Sequence, residues 1–182
     1  GADYFNSQFN VLHTRQIADP DFGLRTTGRT AGGAYGAIAA RDATTVLLVP
    51  GVLGSRFRVL DQPANVAVGR YRHDLNPQLS IGAIGTFRSG DDYGNSVAGA
   101  DARWQSGSHT VTTQFLRSQS EYPAQIVDAY RHDLGDDATP SGNAWRAYYG
   151  FSNRNWSVNA SHVDIDPGFR ADLGFMGQVG YD

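Results

Sequence analysis

The 182-residue sequence contains no cysteine and no lysine. Without cysteine, a disulfide framework, a thiolate metal site and a cysteine nucleophile are all excluded. All fifteen basic residues are therefore arginine, and a formal net charge of -3 argues against a surface that binds nucleic acid.

Large apolar side chains are also scarce. Leu, Ile, Val and Phe make up about a fifth of the chain, close to the level at which a packed core becomes doubtful. No apolar run approaches the roughly 18 residues of a transmembrane helix. The chain does not open on a signal peptide, as expected of a mature protein or an excised piece. We therefore expect the apolar residues to face something other than an ordinary protein core.

Alternation of polar and apolar residues recurs in segments of about ten residues, and the period of a helix is hard to find. In 144–151, for example, Trp145, Tyr149 and Phe151 share one face, and Arg146 and Tyr148 share the other. The length suits one domain, 1–182, with no second domain. The pattern predicts an all-β domain with about ten antiparallel strands: 5–16, 22–31, 33–42, 64–74, 78–88, 93–105, 108–118, 143–152, 154–165 and 171 to the end.

The predicted connections alternate between short and long. Short turns follow the even-numbered strands, and longer links follow the odd-numbered ones: 17–21, 43–63, 89–92, 119–142 and 166–170. Tight periplasmic turns and long extracellular loops are typical of outer-membrane barrels. We therefore predict an up-and-down transmembrane β-barrel, or a segment of a larger one, with loops 43–63 and 119–142 outside.

The two predicted faces differ in chemistry. An arginine facing lipid at mid-depth would cost roughly 2–4 kcal/mol, so the charged face is expected to line the lumen. The lumen-lining candidates are Arg25, Arg29, Asp101, Arg103 and Arg146. The strand at 64–74 is ambiguous, because Val66 and Val68 share a face with Arg70 and Arg72, and a bulge could switch the faces midway.

Aromatic residues near the strand ends suit the two membrane interfaces, where aromatic girdles lie. The candidates for this position are Trp104, Trp145, Phe151 and Trp156.

Three stretches resemble a known family. They are 15–29, with Gly23-Leu24-Arg25-Thr26-Thr27-Gly28-Arg29; 65–101, with Val68-Gly69-Arg70-Tyr71-Arg72-His73-Asp74; and 166–175, Asp166-Pro167-Gly168-Phe169-Arg170-Ala171-Asp172-Leu173-Gly174-Phe175. They are similar to the barrel region of large bacterial outer-membrane proteins that carry an N-terminal domain like carbohydrate-binding module family 9. The chain departs from that pattern at Gln16 and at Met176-Gly177-Gln178, where the family has arginine.

The resemblance implies that the chain is a fragment, or that its remainder lies elsewhere, since members of that family are several times longer. It also implies a saccharide as one possible solute, by analogy with the extra domain.

The sequence gives little support for a catalytic site or a metal site. The five histidines are widely spaced, with no metal-ligand spacing. Ser161 and His162 are neighbours on one predicted strand, so they point to opposite faces and cannot act as nucleophile and base. Acidic residues in the predicted outer loops are interpreted as solvated loop residues rather than calcium ligands, because no EF-hand spacing is present: Asp91, Asp92, Asp133, Asp136 and Asp137. We expect no catalytic residues, no metal and no cofactor.

The loop 43–63 is unusually apolar, with Val46-Leu47-Leu48-Val49 and Val52-Leu53. It would fold into the lumen as a plug, lie on the membrane, touch a partner or extend the flanking strands; the sequence does not decide.

The pattern favours a bacterial outer-membrane β-barrel protein or fragment, not an enzyme, that acts as a channel or binding component for a polar solute. Its expected partners are the lipid bilayer and either other envelope proteins or the rest of a longer chain. The alternative is a soluble β-barrel or sandwich that binds a ligand, with the apolar face as its core.

Overall fold

A computed structural model of the chain describes residues 2–51, 54–129, 131 and 137–180. The fold is all-β and antiparallel. Eight strands form the main sheet: β1 (Pro20–Thr30), β2 (Gly33–Asp42), β5 (Ala64–Asn76), β6 (Leu79–Ser89), β7 (Gly94–Ser106), β8 (His109–Glu121), β9 (Ser141–Ser152) and β10 (Ser157–Ile165). A separate hairpin consists of β3 (Thr45–Gly51) and β4 (Gly54–Leu60). The short helix α1 (Ala124–Ala129) follows β8, and two 3-10 turns, Ala2–Phe5 and Thr14–Gln16, precede β1.

The main sheet is a meander in which every strand pairs with its neighbours in the chain, once the β3–β4 hairpin is set aside. Alternating residues favour this arrangement, because antiparallel neighbours need only short links. The pairing register runs without a shift through the middle of β5, so the bulge considered there is absent. The ladder shifts only between Asp74 and Asn76, beside the β5–β6 turn.

Eight of the ten predicted strands are confirmed within a few residues, and two are wrong. Residues 5–16 and 171 to the end are not strands in the described part of the chain. Both segments instead lie across one face of the sheet, where Phe5, Phe9 and Val11 of the first and Leu173 of the second are buried. Burial of one side of an extended segment produces the same alternation of apolar residues as a strand, even when the segment pairs with no neighbouring strand. The alternation in these two segments therefore reflects their packing onto the sheet.

The sheet is open among the described residues, because neither β1 nor β10 pairs with the other or with a further strand. The antiparallel all-β prediction is confirmed, whereas a closed barrel is not found. Both edges leave backbone N–H and C=O groups of a long strand without ladder partners.

The two ends of the sheet differ in their connections. The β1–β2, β5–β6 and β7–β8 turns contain two residues each, and the longest links, 43–63 and 122–140, both lie at the opposite end. The predicted alternation is incomplete, however. The β6–β7 link, 90–93, is no longer than the β9–β10 turn, 153–156.

We call the face that carries residues 2–17 and 166–179 the inner face, and the opposite one the outer face. The core lies between the inner face and these two segments. Phe9, Val11, Phe169, Met176 and Val179 of the segments pack against residues of β6 to β10: Ile84, Val97, Leu116, Ala144 and Ile165. A second cluster joins Phe5 and Leu173 to β2 and β5 through Ala40, Val66 and Val68.

Close approach of the C-terminal segment depends on a glycine in β9. A Cβ atom added to Gly142 would lie 2.4 Å from the backbone nitrogen of Phe169. Since real side chains do not tolerate such a contact with backbone, only glycine lets the segment lie directly on the sheet.

We expect Phe169→Ala to lower the free energy of unfolding by about 3–5 kcal/mol, because a fully buried ring is removed between the segment and β8 to β10. Phe175→Ala is the matched control, since Phe175 lies six positions further along the same segment and is 50% exposed. Chemical denaturation of both variants in the same detergent measures the difference. Equal losses would contradict the view that the segment is anchored through Phe169.

Candidate solute site on the inner face

A polar cleft of about 620 Å³ lies on the inner face, at the end of the sheet that carries the short turns. The N-terminal segment forms one wall through Tyr4 and residues 6–8. Residues from six neighbouring strands, β1 to β8 without the hairpin, form the rest, so the sheet curls around the cleft. The charged residues that line it are Arg29, Arg70, Arg72, Asp74, Asp101 and Arg103.

An ion pair between Arg70 of β5 and Asp101 of β7 crosses the floor of the cleft. The guanidinium donates two hydrogen bonds to the carboxylate, at 2.5 and 2.9 Å. Both side chains are largely buried, with 6% and 15% of their surface exposed. This fork geometry fixes both groups more firmly than a single contact would.

Gly82 of β6 makes this pair possible, because it is directly opposite Asp101 of β7 in the register and the guanidinium of Arg70, two positions along β5 from the residue opposite Gly82, passes over it. A Cβ atom at position 82 would lie 2.6 Å from Nη1 of Arg70. The absence of a side chain therefore lets the guanidinium extend over the middle strand and reach the carboxylate two strands away.

The remaining charged side chains are more exposed. Arg72 contacts Asp74 at 3.2 Å, with about half of each side chain exposed. Arg103 donates a 2.8 Å hydrogen bond to Gln105. Among the described side chains, Arg29 and Arg103 have no carboxylate partner within ion-pair distance.

All five lumen-lining candidates lie on the inner face, and the structure brings three of them, Arg29, Asp101 and Arg103, into the cleft. The other two lie outside it. Arg25 places its guanidinium 5.3 Å from the ring centre of Phe5. Arg146 donates a 3.2 Å hydrogen bond to the carbonyl oxygen of Gln8. Both therefore hold the N-terminal segment against the sheet.

Sequence reasoning did not include Arg70 and Arg72 among the candidates, because they share a face with Val66 and Val68. The structure explains the mixture. The valines are covered by Phe5 and Leu173, whereas the arginines lie beyond these contacts, in the cleft. Burial alternates without a break from Ala64 to Arg70, so the valines and Arg70 share one face of the strand.

The four aromatic candidates are at the opposite side of the sheet. Trp104 and Trp145 lie on the outer face and are 39% and 40% exposed, and Trp156 in the β9–β10 turn is 70% exposed. Phe151 is partly buried, with its ring centre 4.9 Å from that of His109.

The loop 43–63 forms the β3–β4 hairpin rather than an extension of the flanking strands. Its residues Leu47, Val49 and Leu60 pack with residues from two other links: Tyr93, Tyr122, Ile126 and Val127. The links at this end of the sheet, including 122–129 of the predicted loop 119–142, therefore form one cluster. Val52 and Leu53 lie outside the described residues.

A buried ion pair connects β6 to β2, and its arginine also contacts the β3–β4 hairpin. Arg88 donates to Asp42 and to the carbonyl oxygen of Val46, both at 2.8 Å, and neither charged side chain is exposed. Asp42 also accepts the backbone N–H groups of Ala18 and Asp19. Each charge thus has several partners, as buried ions require.

Asp172 of the C-terminal segment occupies a second buried polar site. It accepts hydrogen bonds from the hydroxyl groups of Tyr93, at 2.6 Å, and Tyr122, at 2.8 and 2.9 Å. Burial raises the pKa of Asp172, although these hydrogen bonds and the charges of Arg88 and Arg170 act in the opposite direction. Burial, followed by the charge of Asp172, also raises the pKa of both tyrosines well above the ordinary value.

Catalytic and metal candidates are not brought together. Ser161 and His162 face opposite sides of β10, and the ring of His162 packs edge-on against Trp145 at 5.0 Å. No group of three or more His, Asp or Glu side chains in the described residues could hold a metal ion. Asp137 accepts hydrogen bonds from Thr139, whereas Asp133 and Asp136 lie outside the described residues. No helix in the described ranges is both long and apolar enough to cross a membrane.

Comparison with protein-family models, curated proteins and solved structures found no match. The resemblance to the outer-membrane family therefore stays a prediction.

We expect Arg88→Met to lower the free energy of unfolding by about 3–5 kcal/mol, because Asp42 would be left buried without a counter-charge. Arg41→Met is the control, since Arg41 lies in the same strand as Asp42 and forms an exposed pair with Asp21 at 3.9 Å. Its loss should be below about 1 kcal/mol. Chemical denaturation near neutral pH measures both values, and a small loss in Arg88→Met would show that the buried pair is dispensable.

We expect the stability of the native chain relative to Asp172→Asn to increase as the pH falls from neutral to about 4. A pKa raised by folding means that the folded state binds the proton more tightly than the unfolded chain. The stabilisation that the Asp172 carboxyl group contributes is therefore complete at a pH below its pKa in the unfolded chain. It is lost as the pH rises through its pKa in the folded state. Denaturation of both variants across this range gives the difference, and a difference that is constant or shrinks on acidification would refute the expectation.

Proposed function

We propose that this chain forms part of the wall of a bacterial outer-membrane β-barrel and that its inner face passes or binds a polar solute. The observation that carries the proposal is the reversed polarity of the sheet. Its outer face exposes apolar side chains, while its inner face holds arginines, carboxylates and amides beside the buried core.

The outer face of the four strands β2, β5, β6 and β7 supports contact with lipid. Between the strand ends, the outward residues include no charged side chain: Tyr35, Ala37, Ala39, Ala67, Gly69, Tyr71, Ile81, Ala83, Gly85, Phe87, Ala98, Ala100, Ala102 and Trp104. Many of the large ones are exposed, such as Phe87 at 50% and Tyr71 at 45%. A continuous apolar surface of this size is rare on monomeric soluble proteins.

The inner face supports a hydrated interior. Arg29, Arg72 and Arg103 are exposed to the cleft. The outer face of β2, β5, β6 and β7, by contrast, has no charged side chain between the strand ends. A soluble β-sandwich or barrel, the alternative considered above, would bury its apolar face as a core. In this chain the inner face already carries the buried core, yet large apolar side chains such as Tyr71 and Phe87 are also exposed on the outer face. These exposed side chains support the membrane wall over the soluble binding module.

The open edges support a wall wider than eight strands. An eight-stranded barrel has an interior that side chains alone fill. Here two chain segments, 2–17 and 166–179, occupy the interior, so we infer that β1 and β10 pair with further strands instead of with each other. Those strands would come from the rest of a longer chain or from other envelope proteins. We propose no enzymatic activity, and a saccharide as solute depends on the family resemblance alone.

Contact with lipid can be tested through the tryptophans, because the chain has three and all are exposed on or beside the outer face. The full chain is mixed with phosphatidylcholine vesicles whose acyl chains carry bromine, which quenches fluorescence on contact. We expect strong quenching and flotation of the chain with the vesicles. A chain that stays unquenched and does not float would contradict the proposal.

We expect Ala100→Arg to reduce flotation, because a charge on the lipid-facing side of a membrane strand costs roughly 2–4 kcal/mol near mid-depth. Asn159→Arg provides the control, since Asn159 points to the inner face of β10 and is exposed there. The measured quantity is the partition coefficient between buffer and vesicles. If the two variants partitioned equally, the outer face would not be the lipid-contacting one.

A further inference from the structure

We propose that the inner-face cleft selects anionic solutes, namely small polar molecules that carry carboxylate or phosphate groups. This inference rests on the proposed function, because it names the class of solute that the inner face would take. The cleft itself is defined by the geometry described above.

The charges that line the cleft do not balance. Four arginines, at positions 29, 70, 72 and 103, face two aspartates, at positions 74 and 101. The two aspartates are already paired, with Arg72 and Arg70 respectively. Arg29 and Arg103 have no carboxylate partner among the described side chains, so the cleft holds two positive charges in excess.

The register places these two arginines on opposite sides of the cleft. Arg29 of β1 and Arg103 of β7 are separated by the three strands β2, β5 and β6. Four strand spacings of about 4.8 Å place their strands roughly 19 Å apart, measured perpendicular to the strands. Arg72 lies between them on β5. A solute in the cleft would therefore meet guanidinium groups from three of the strands that line it, β1, β5 and β7.

Arginine suits this role for two reasons. Its side chain stays charged at all relevant pH values, and its planar donors match the oxygens of carboxylates and phosphates. A cleft lined by charge of one sign also raises the local concentration of the opposite ion. The paired aspartates leave little free carboxylate to attract cations, so we expect the selection to favour anions.

The native absence of cysteine allows a direct test of the potential in the cleft. A single thiol is introduced by Ser80→Cys, since Ser80 lines the cleft. A second chain carries Ser152→Cys, at the same end of the sheet but outside the cleft. Each full chain, in detergent micelles at low ionic strength, reacts with an anionic sulfonatoethyl and a cationic trimethylammonioethyl methanethiosulfonate. The ratio of the two rates cancels differences in accessibility.

We expect the anion-to-cation rate ratio at Ser80→Cys to exceed that at Ser152→Cys by about fivefold or more. Adding Arg29→Gln and Arg103→Gln should bring the ratio close to that of the control. Arg154→Gln, in the β9–β10 turn outside the cleft, should leave it unchanged. Equal ratios at the two thiols, or a ratio that survives the double substitution, would overturn the proposal.

The result of the thiol-reactivity experiment does not depend on the lipid experiment, because the lipid experiment tests the outer face. Quenching by brominated lipid without charge selection would refute the anion site and leave the membrane wall standing. Charge selection without quenching would support the cleft and refute the membrane wall.

Discussion

The geometry of the β-strand is the constraint on which the rest of the structure depends. Successive side chains point to opposite sides, so each strand presents two faces whose chemistry is set independently. Eight such strands in one register turn this local rule into two continuous surfaces. In β6, Ile81 and Phe87 lie on one surface, and Arg88 lies on the other. A slip of one residue in any ladder would exchange the faces of that strand.

The polar inner face would be unstable if it were simply covered by apolar groups. The chain instead covers it with two of its own segments, which bring both apolar and polar partners. Phe169 fills the space beside Leu116, while the backbone N–H of Arg170 donates to Ser118 and that of Phe9 donates to Gln114. Such mixed packing satisfies groups that would otherwise lose hydrogen bonds on burial.

The same inner face is divided into two zones along the strands. Toward the long links, Asp42, Arg88 and Asp172 are buried and each has several partners. Toward the short turns, the N-terminal segment forms only one wall of a cleft, and arginines of the sheet line the rest. Satisfied buried charges hold the links in place, whereas accessible charges remain free to meet a solute. Stability and proposed function thus use the same residue types at opposite ends of the strands.

Much of the fold could be predicted from alternation, and much of the cleft could not. The strand faces carrying Asp101, Arg103 and Arg146 followed from the sequence, since strand period alone decides which residues share a face. Which of these residues meet in space did not follow. Arg70 reaches Asp101 only because β5 and β7 flank Gly82, and Arg146 is separated from the cleft by its contact with Gln8. Neither distance is encoded within one strand.

Alternation along the chain is enough to predict the strands of the sheet, their antiparallel order and the chemistry of their two faces, because these are local properties repeated every two residues. The tertiary structure decided three further things. Residues 5–16 and 171–180 became a cover instead of strands, the 43–63 link became a separate hairpin, and, within the described part of the chain, the sheet remained open at β1 and β10. The first two depend on contacts between residues far apart in the chain, such as Phe9 with Gln114 and Val46 with Arg88, and alternation carries no information about such contacts.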